Sequence, residues 1–146
     1  MKIVVLGICL LCLTSTWYGC LRKADNIVSK SSTKIEEVVR IDIKYTDMDI
    51  LTPISVSCEE FENYFKNPST IHITNRANIN RILSYIAKAN LSTGSYMDAR
   101  MKMIFLYDSG KTEIACFNTT YFLLNNQIYH MNNEFLTYIN EIIKAH

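Results

Sequence analysis

Residues 98–117, DARMKMIFLYDSGKTEIACF, decide the fold. Ala99, Met101, Met103, Phe105 and Tyr107 alternate with Asp98, Arg100, Lys102, Ile104 and Leu106, the period-two pattern of a strand. The second of these faces turns from charged to apolar halfway along. Asp108-Ser109-Gly110-Lys111 is a tight reversal, and residues 112–117 run back from it, so the stretch predicts a hairpin. The pattern recurs downstream, where residues 121–124 and 127–131 flank Asn125-Asn126. Asparagine tolerates the positive φ that such turns require, so a second hairpin is expected.

Upstream, Val39, Ile41, Ile43 and Tyr45 alternate with Arg40, Asp42 and Lys44, predicting a strand with one buried and one wet face. After Asp47-Met48-Asp49 and Pro53, Ile54 and Val56 predict a short strand. Ser57 stands three residues before Glu60, a capping-box spacing that opens a short helix carrying Phe61, Tyr64 and Phe65. Asn67-Pro68 ends it. Residues 71–74 form a short strand, and Asn75 caps a helix with Ile79, Ile82, Leu83, Ile86 and Ala87 inward and Arg76, Asn80, Arg81, Tyr85 and Lys88 outward. A loop covers 90–96. Asn132 or Asn133 caps a last helix that buries Phe135, Leu136, Ile139, Ile142 and Ile143. The expected class is α+β, an antiparallel sheet of about five to seven strands with two main helices packed on one face.

The chain begins with Met1-Lys2, an apolar run from Ile3 to Leu13, and then Thr14 to Cys20. That run has 11 residues, too short for the roughly 20 that cross a bilayer as a permanent helix, and it reads as an export leader. Gly19-Cys20 resembles the leader of bacterial lipoproteins, in which a small residue precedes a cysteine that receives a diacylglycerol and becomes the mature first residue. Trp17 and Tyr18 depart from the usual residues at those places. The resemblance implies a signal peptide over 1–19, lipid on Cys20, a polar tether over 20–34 and a single domain over 35–146. It implies a bacterial envelope location with the membrane as a partner through that lipid, the outer membrane or periplasmic face rather than a secreted form. An uncleaved anchor helix, plain cleavage without lipid, and an intracellular protein with a buried first strand are the alternative readings of the same residues.

Removing Lys2 with the leader leaves 14 basic and 14 acidic residues, so long-range attraction to nucleic acid is not expected. The charges are segregated along the chain. Eight acids between Glu36 and Glu62 face only Arg40 and Lys44, while seven bases between Lys66 and Lys111 face only Asp98 and Asp108. Of five cysteines, Cys9 and Cys12 leave with the leader and Cys20 takes lipid. Cys58 and Cys116 remain, either as one disulfide or as two buried free thiols.

The four glycines form no phosphate loop or dinucleotide-binding pattern, and no GxSxG or HExxH occurs. The three histidines are scattered, and the acids near Asp47 lack EF-hand spacing, so no metal or cofactor is expected. Asp98 and Arg100 share a strand face, either as a surface ion pair or as a polar anchor in a binding surface. His72, Asp98, Arg100 and His130 are the groups from which a site without a motif could be assembled. The leading expectation is a non-catalytic binding or accessory domain, possible as an inhibitor or immunity-like protein, with a protein partner. The rivals are an exported hydrolase and a carrier of a hydrophobic ligand.

Overall fold

The computed structural model describes residues 36–94 and 97–146. The leader, Cys20 and the tether lie outside the described residues. Six strands, β1 (Val38–Tyr45), β2 (Ser69–Ile73), β3 (Met101–Tyr107), β4 (Thr112–Phe117), β5 (Tyr121–Leu124) and β6 (Gln127–His130), form one sheet in the order β2-β1-β3-β4-β5-β6. Every neighbouring pair is antiparallel. Because β2 and β3 both run against β1, they are parallel to each other, and the chain must cross over between them. Helix α2 (Arg76–Ala87) makes that crossing. Helix α1 (Phe61–Tyr64) precedes β2, and α3 (Asn133–Lys144) closes the chain.

The turns and caps follow from local chemistry. Asn125 and Asn126 adopt φ of 51° and 59°, the doubly left-handed turn that matches strand twist. Gly110 has φ +85°, and a Cβ there would meet nothing within 4 Å. Gly110→Ala is therefore expected to lower stability by about 1 kcal/mol through backbone strain alone, read from urea midpoints. An unchanged midpoint would show that the turn relaxes. Asn75 Oδ1 accepts from the N–H groups of Ala77 and Asn78, and Asn132 Oδ1 accepts from Phe135 N–H. The Ser57 hydroxyl accepts from Glu60 N–H ahead of α1.

Helices α2 and α3 cover one sheet face, here called inner. Ile41 and Ile43 of β1, Met101, Met103 and Phe105 of β3 and Phe117 of β4 bury against Ile79, Ile82, Phe135 and Ile139. Phe117 and Phe122 stack at 5.2 Å, and the Phe135 ring stands edge-on to both. Tyr85, expected outward, is half-buried because its ring stacks on Phe135 at 5.2 Å and so joins α2 to α3. Tyr138 is also buried there, and its hydroxyl donates to Asn78 Oδ1 at 3.1 Å.

Two strand expectations are corrected. A register shift between Val38 and Arg40 turns Val38 inward (4% exposed) and Val39 outward (42%), reversing the side predicted for Val39. Ile54 and Val56 form no strand. Their segment crosses the other sheet face as irregular backbone, with Val56 buried and Ile54 exposed.

That outer face carries a second, smaller core of Val56, Phe61, Met97, Ala99 and Cys116, with Cys58 and Phe65 packed on it. Cys58 and Cys116 form a disulfide, with Cα atoms 5.6 Å apart and a sequence separation of 58. The covering segment is thus pinned to β4.

Candidate functional site

Strand register lays one transverse row across the outer face: Lys44, Lys102, Cys116, Leu123 and Ile128, one residue from each of five strands. Residues paired across antiparallel strands point to the same side, so one end of this row is cationic and the other aliphatic. The adjacent row places Ile104 against Ile114, continuing the aliphatic part.

Lys44 directly opposite Lys102 is repulsive on its own. Glu62, the second residue of α1, answers it. Lys44 Nζ donates to Glu62 Oε1 at 2.5 Å, and Lys102 Nζ lies 3.9 Å from the same oxygen. One carboxylate thus serves two ammonium groups. The hydrogen bond from Lys44 holds the Glu62 carboxyl below the usual carboxylate range, helped by the charges of Lys102 and Lys44 and opposed by desolvation. Because the folded-state value is depressed, this contribution to stability is present above the ordinary carboxylate value and lost as pH falls through the folded one. Glu62→Gln is expected to flatten the acid limb of urea midpoints measured from about pH 7 down to about pH 3. An unaltered acid limb would remove Glu62 from this role.

Beyond Lys102 the covering segment stops, leaving a pocket of about 450 Å³ lined by Cys58, Glu59, Lys102, Ile114, Leu123, Asn125 and Asn126. A neighbouring trough shares Leu123 and Asn126 and runs on over Leu91, Ser92, Gly94, Gln127 and Ile128. Leu91 bridges to Tyr129, and Ser92 N–H donates to Ile128 O, so the 90–92 segment shields the β6 edge and borders the trough. Ile114 is 45% exposed and Leu91 is 61% exposed.

Asp98 and Arg100 do not line this opening, and only the Asp98 carboxylate keeps partial exposure. The Arg100 side chain is 7% exposed, and its guanidinium donates to both Asp98 oxygens, to Ile50 O, to Thr52 Oγ1 and to Ala99 O. Asp98 Oδ1 also accepts from Val56 N–H at 2.8 Å. The expected ion pair is present, and it fixes the 50–56 loop to the start of β3.

The two histidines are not brought together either. His72 lies in β2 and His130 in β6, the opposite edges of the sheet, so at about 4.8 Å per strand they stand roughly 24 Å apart. His72 Nδ1 contacts Asp42 Oδ1 at 2.7 Å, but Arg40 holds the same carboxylate and the His72 side chain is 62% exposed. His130 packs on the Tyr121 ring. Among the described residues, no group of three metal-ligating side chains converges, and no helix is long and apolar enough to cross a membrane.

Sequence reasoning overlooked Lys102, Glu62, Ile114 and Leu123 as a group. The available signal was the outer side of residues 98–107, which changes from Lys102 to Ile104 and Leu106 just where the cover ends. Set against known protein families, curated proteins and solved structures, the chain matches none.

Proposed function

We propose that this is an exported envelope lipoprotein, held to the membrane through Cys20, whose domain binds a protein partner without catalysis. The observation that carries the binding reading is the half-covered outer face. A sheet face that is aliphatic along one half, bordered by Asn125, Asn126 and Gln127 and left open, has the composition of a contact surface. An inhibitor, an immunity-like protein or an accessory subunit would each use such a face.

The rival readings draw less support. A hydrolase needs two titratable groups meeting inside a concavity, whereas the histidine–carboxylate contact at His72 is on an exposed edge strand. A carrier needs an enclosed apolar cavity, whereas Met101, Met103 and Phe105 are at most 3% exposed within filled core.

Site-specific photocrosslinking in producing cells tests the reading. A benzophenone side chain replacing Ile114 is expected to trap one defined protein, and the same probe replacing Thr137 on α3 is not. Cys20→Ala is expected to reduce the adduct at least severalfold by removing the anchor. Identical adducts at both positions, or turnover of a hydrolase substrate by the purified chain, would overturn it.

A further inference from the structure

Seven large apolar side chains are exposed among the described residues, and three of them, Ile50 (40%), Leu51 (95%) and Ile54 (59%), fall within one short loop. That loop is held from within. Arg100 Nε donates to Ile50 O and its Nη2 to Thr52 Oγ1, the Thr52 hydroxyl donates to Ile54 O, and Ile50 N–H donates to Asp47 O. Pro53 has no N–H to satisfy. An exposed loop in water can leave such groups to the solvent, whereas one that enters an apolar phase must satisfy them inside the protein. Fixing the loop around the buried Arg100 guanidinium also lowers the ordering entropy that binding would cost.

We propose that the 50–54 tip inserts shallowly into the surface of a lipid bilayer, an inference that rests on the envelope-lipoprotein reading. Leu51 leads, and Ile50 and Ile54 follow it into the boundary between headgroups and acyl chains. Tyr64 and Lys66, which share a hollow with Asp47 at the base of the loop, supply the aromatic and basic groups that suit headgroup depth. A protein contact surface keeps side-chain donors and acceptors for its partner, whereas the polar side chain of this tip, Thr52, is already spent within it. The loop lies past the end of β1, and the chain enters β1 at the other end of the sheet. Residues 20–38 can span up to roughly 60 Å, more than the roughly 27 Å length of that strand, so a lipid on Cys20 and the tip can engage one bilayer. Asp47 and Asp49 are exposed beside the tip, so the attraction comes from its aliphatic side chains and not from anionic headgroups.

The test uses the chain as purified from producing cells, reconstituted into phosphatidylcholine vesicles. Trp17 is the sole tryptophan, so in a Trp17→Phe background Leu51→Trp reports on the tip and Ser109→Trp on the opposite end of the sheet. Phosphatidylcholine brominated along its acyl chains is expected to quench the Leu51→Trp emission at least about threefold more than that of Ser109→Trp. Replacing about a third of the lipid with phosphatidylglycerol should leave that difference unchanged. Adding Ile50→Ser and Ile54→Ser to Leu51→Trp should reduce the quenching, because all three side chains contribute to insertion. Urea midpoints report whether each variant folds, and where Leu51→Trp does not, Ile54→Trp takes its place. Vesicle flotation and the mass of the amino-terminal peptide report the anchor separately.

Equal quenching at the two positions, or none at the tip while the chain floats with the vesicles, overturns the insertion and leaves the lipoprotein reading standing. A benzophenone side chain replacing Leu51 that traps one defined protein in cells, without quenching at the tip, assigns the loop to a protein partner and overturns it as well. A chain that neither floats nor carries diacylglycerol on Cys20 removes the two together.

Discussion

Breaking the Cys58–Cys116 disulfide is expected to lower stability by about 4 kcal/mol, the chain-entropy value for a closed loop of this size. The bond joins positions 58 apart and ties the covering segment to a β4 residue that is fully buried. Without it, apolar contact from Val56, Phe61 and Phe65 and the polar ties to Asp98, Arg100 and Lys44 would be left to hold that segment to the sheet. The comparison is between guanidinium midpoints of the oxidised chain, the reduced chain and the Cys58→Ala/Cys116→Ala pair. Both altered forms should fall together, and amide exchange should quicken first around Val56 and Phe61. A shift under about 1 kcal/mol would mean that the apolar and polar contacts hold the cover without the bond. Such a bond forms in oxidising compartments, which fits the export proposal. Cys58 also lines the pocket, so reduction should loosen the pocket wall as well as the fold.

Asp98→Ala is the second large effect, expected to cost about 3 kcal/mol. The Arg100 guanidinium sits at 7% exposure, and removing its carboxylate strands a buried cation. Arg100→Met should cost less, because Asp98 is 31% exposed and water can reach it. The double variant should therefore be more stable than Asp98→Ala alone, the opposite of additive behaviour. A double variant less stable than either single one would show that the ion pair is not what holds the loop. Both single changes should speed proteolysis within the 50–54 loop, whose Leu51 is 95% exposed and whose backbone is tied by Arg100 to Ile50 O and Thr52.

Whether the outer face is covered is not a local property. The alternation in residues 98–117 shows that a strand has two faces and that one is mixed. It does not say that a segment some forty positions upstream will lie across half of it. Lys102 looked like an ordinary wet-face lysine because Glu62 and Lys44, its electrostatic company, come from α1 and β1. Asp98 and Arg100 show the same limit in reverse. Two residues apart in an alternating run, they read equally well as a surface pair, and the burial of Arg100 follows from a loop carrying Ile50, Thr52 and Val56 that folds over it. Val39 was misplaced for a smaller reason. A single bulge shifts every side chain on one side of it to the other face, and alternation has no signal for the extra residue.

By itself the sequence determined the α+β class, the hairpin turns at Gly110 and Asn125-Asn126, the Asn75 cap, the inward stripe of α3 and that of α2 apart from Tyr85 and the exposed Ala87. These depend on backbone dihedrals, side-chain period and capping bonds, all set within a few residues. Only the tertiary structure decided that β1 lies between β2 and β3, that Cys58 reaches Cys116, and that Lys102 ends up nearly buried beside an open aliphatic pocket. Those outcomes require remote segments to meet, and which segments meet is settled by how the whole chain buries its apolar surface at once.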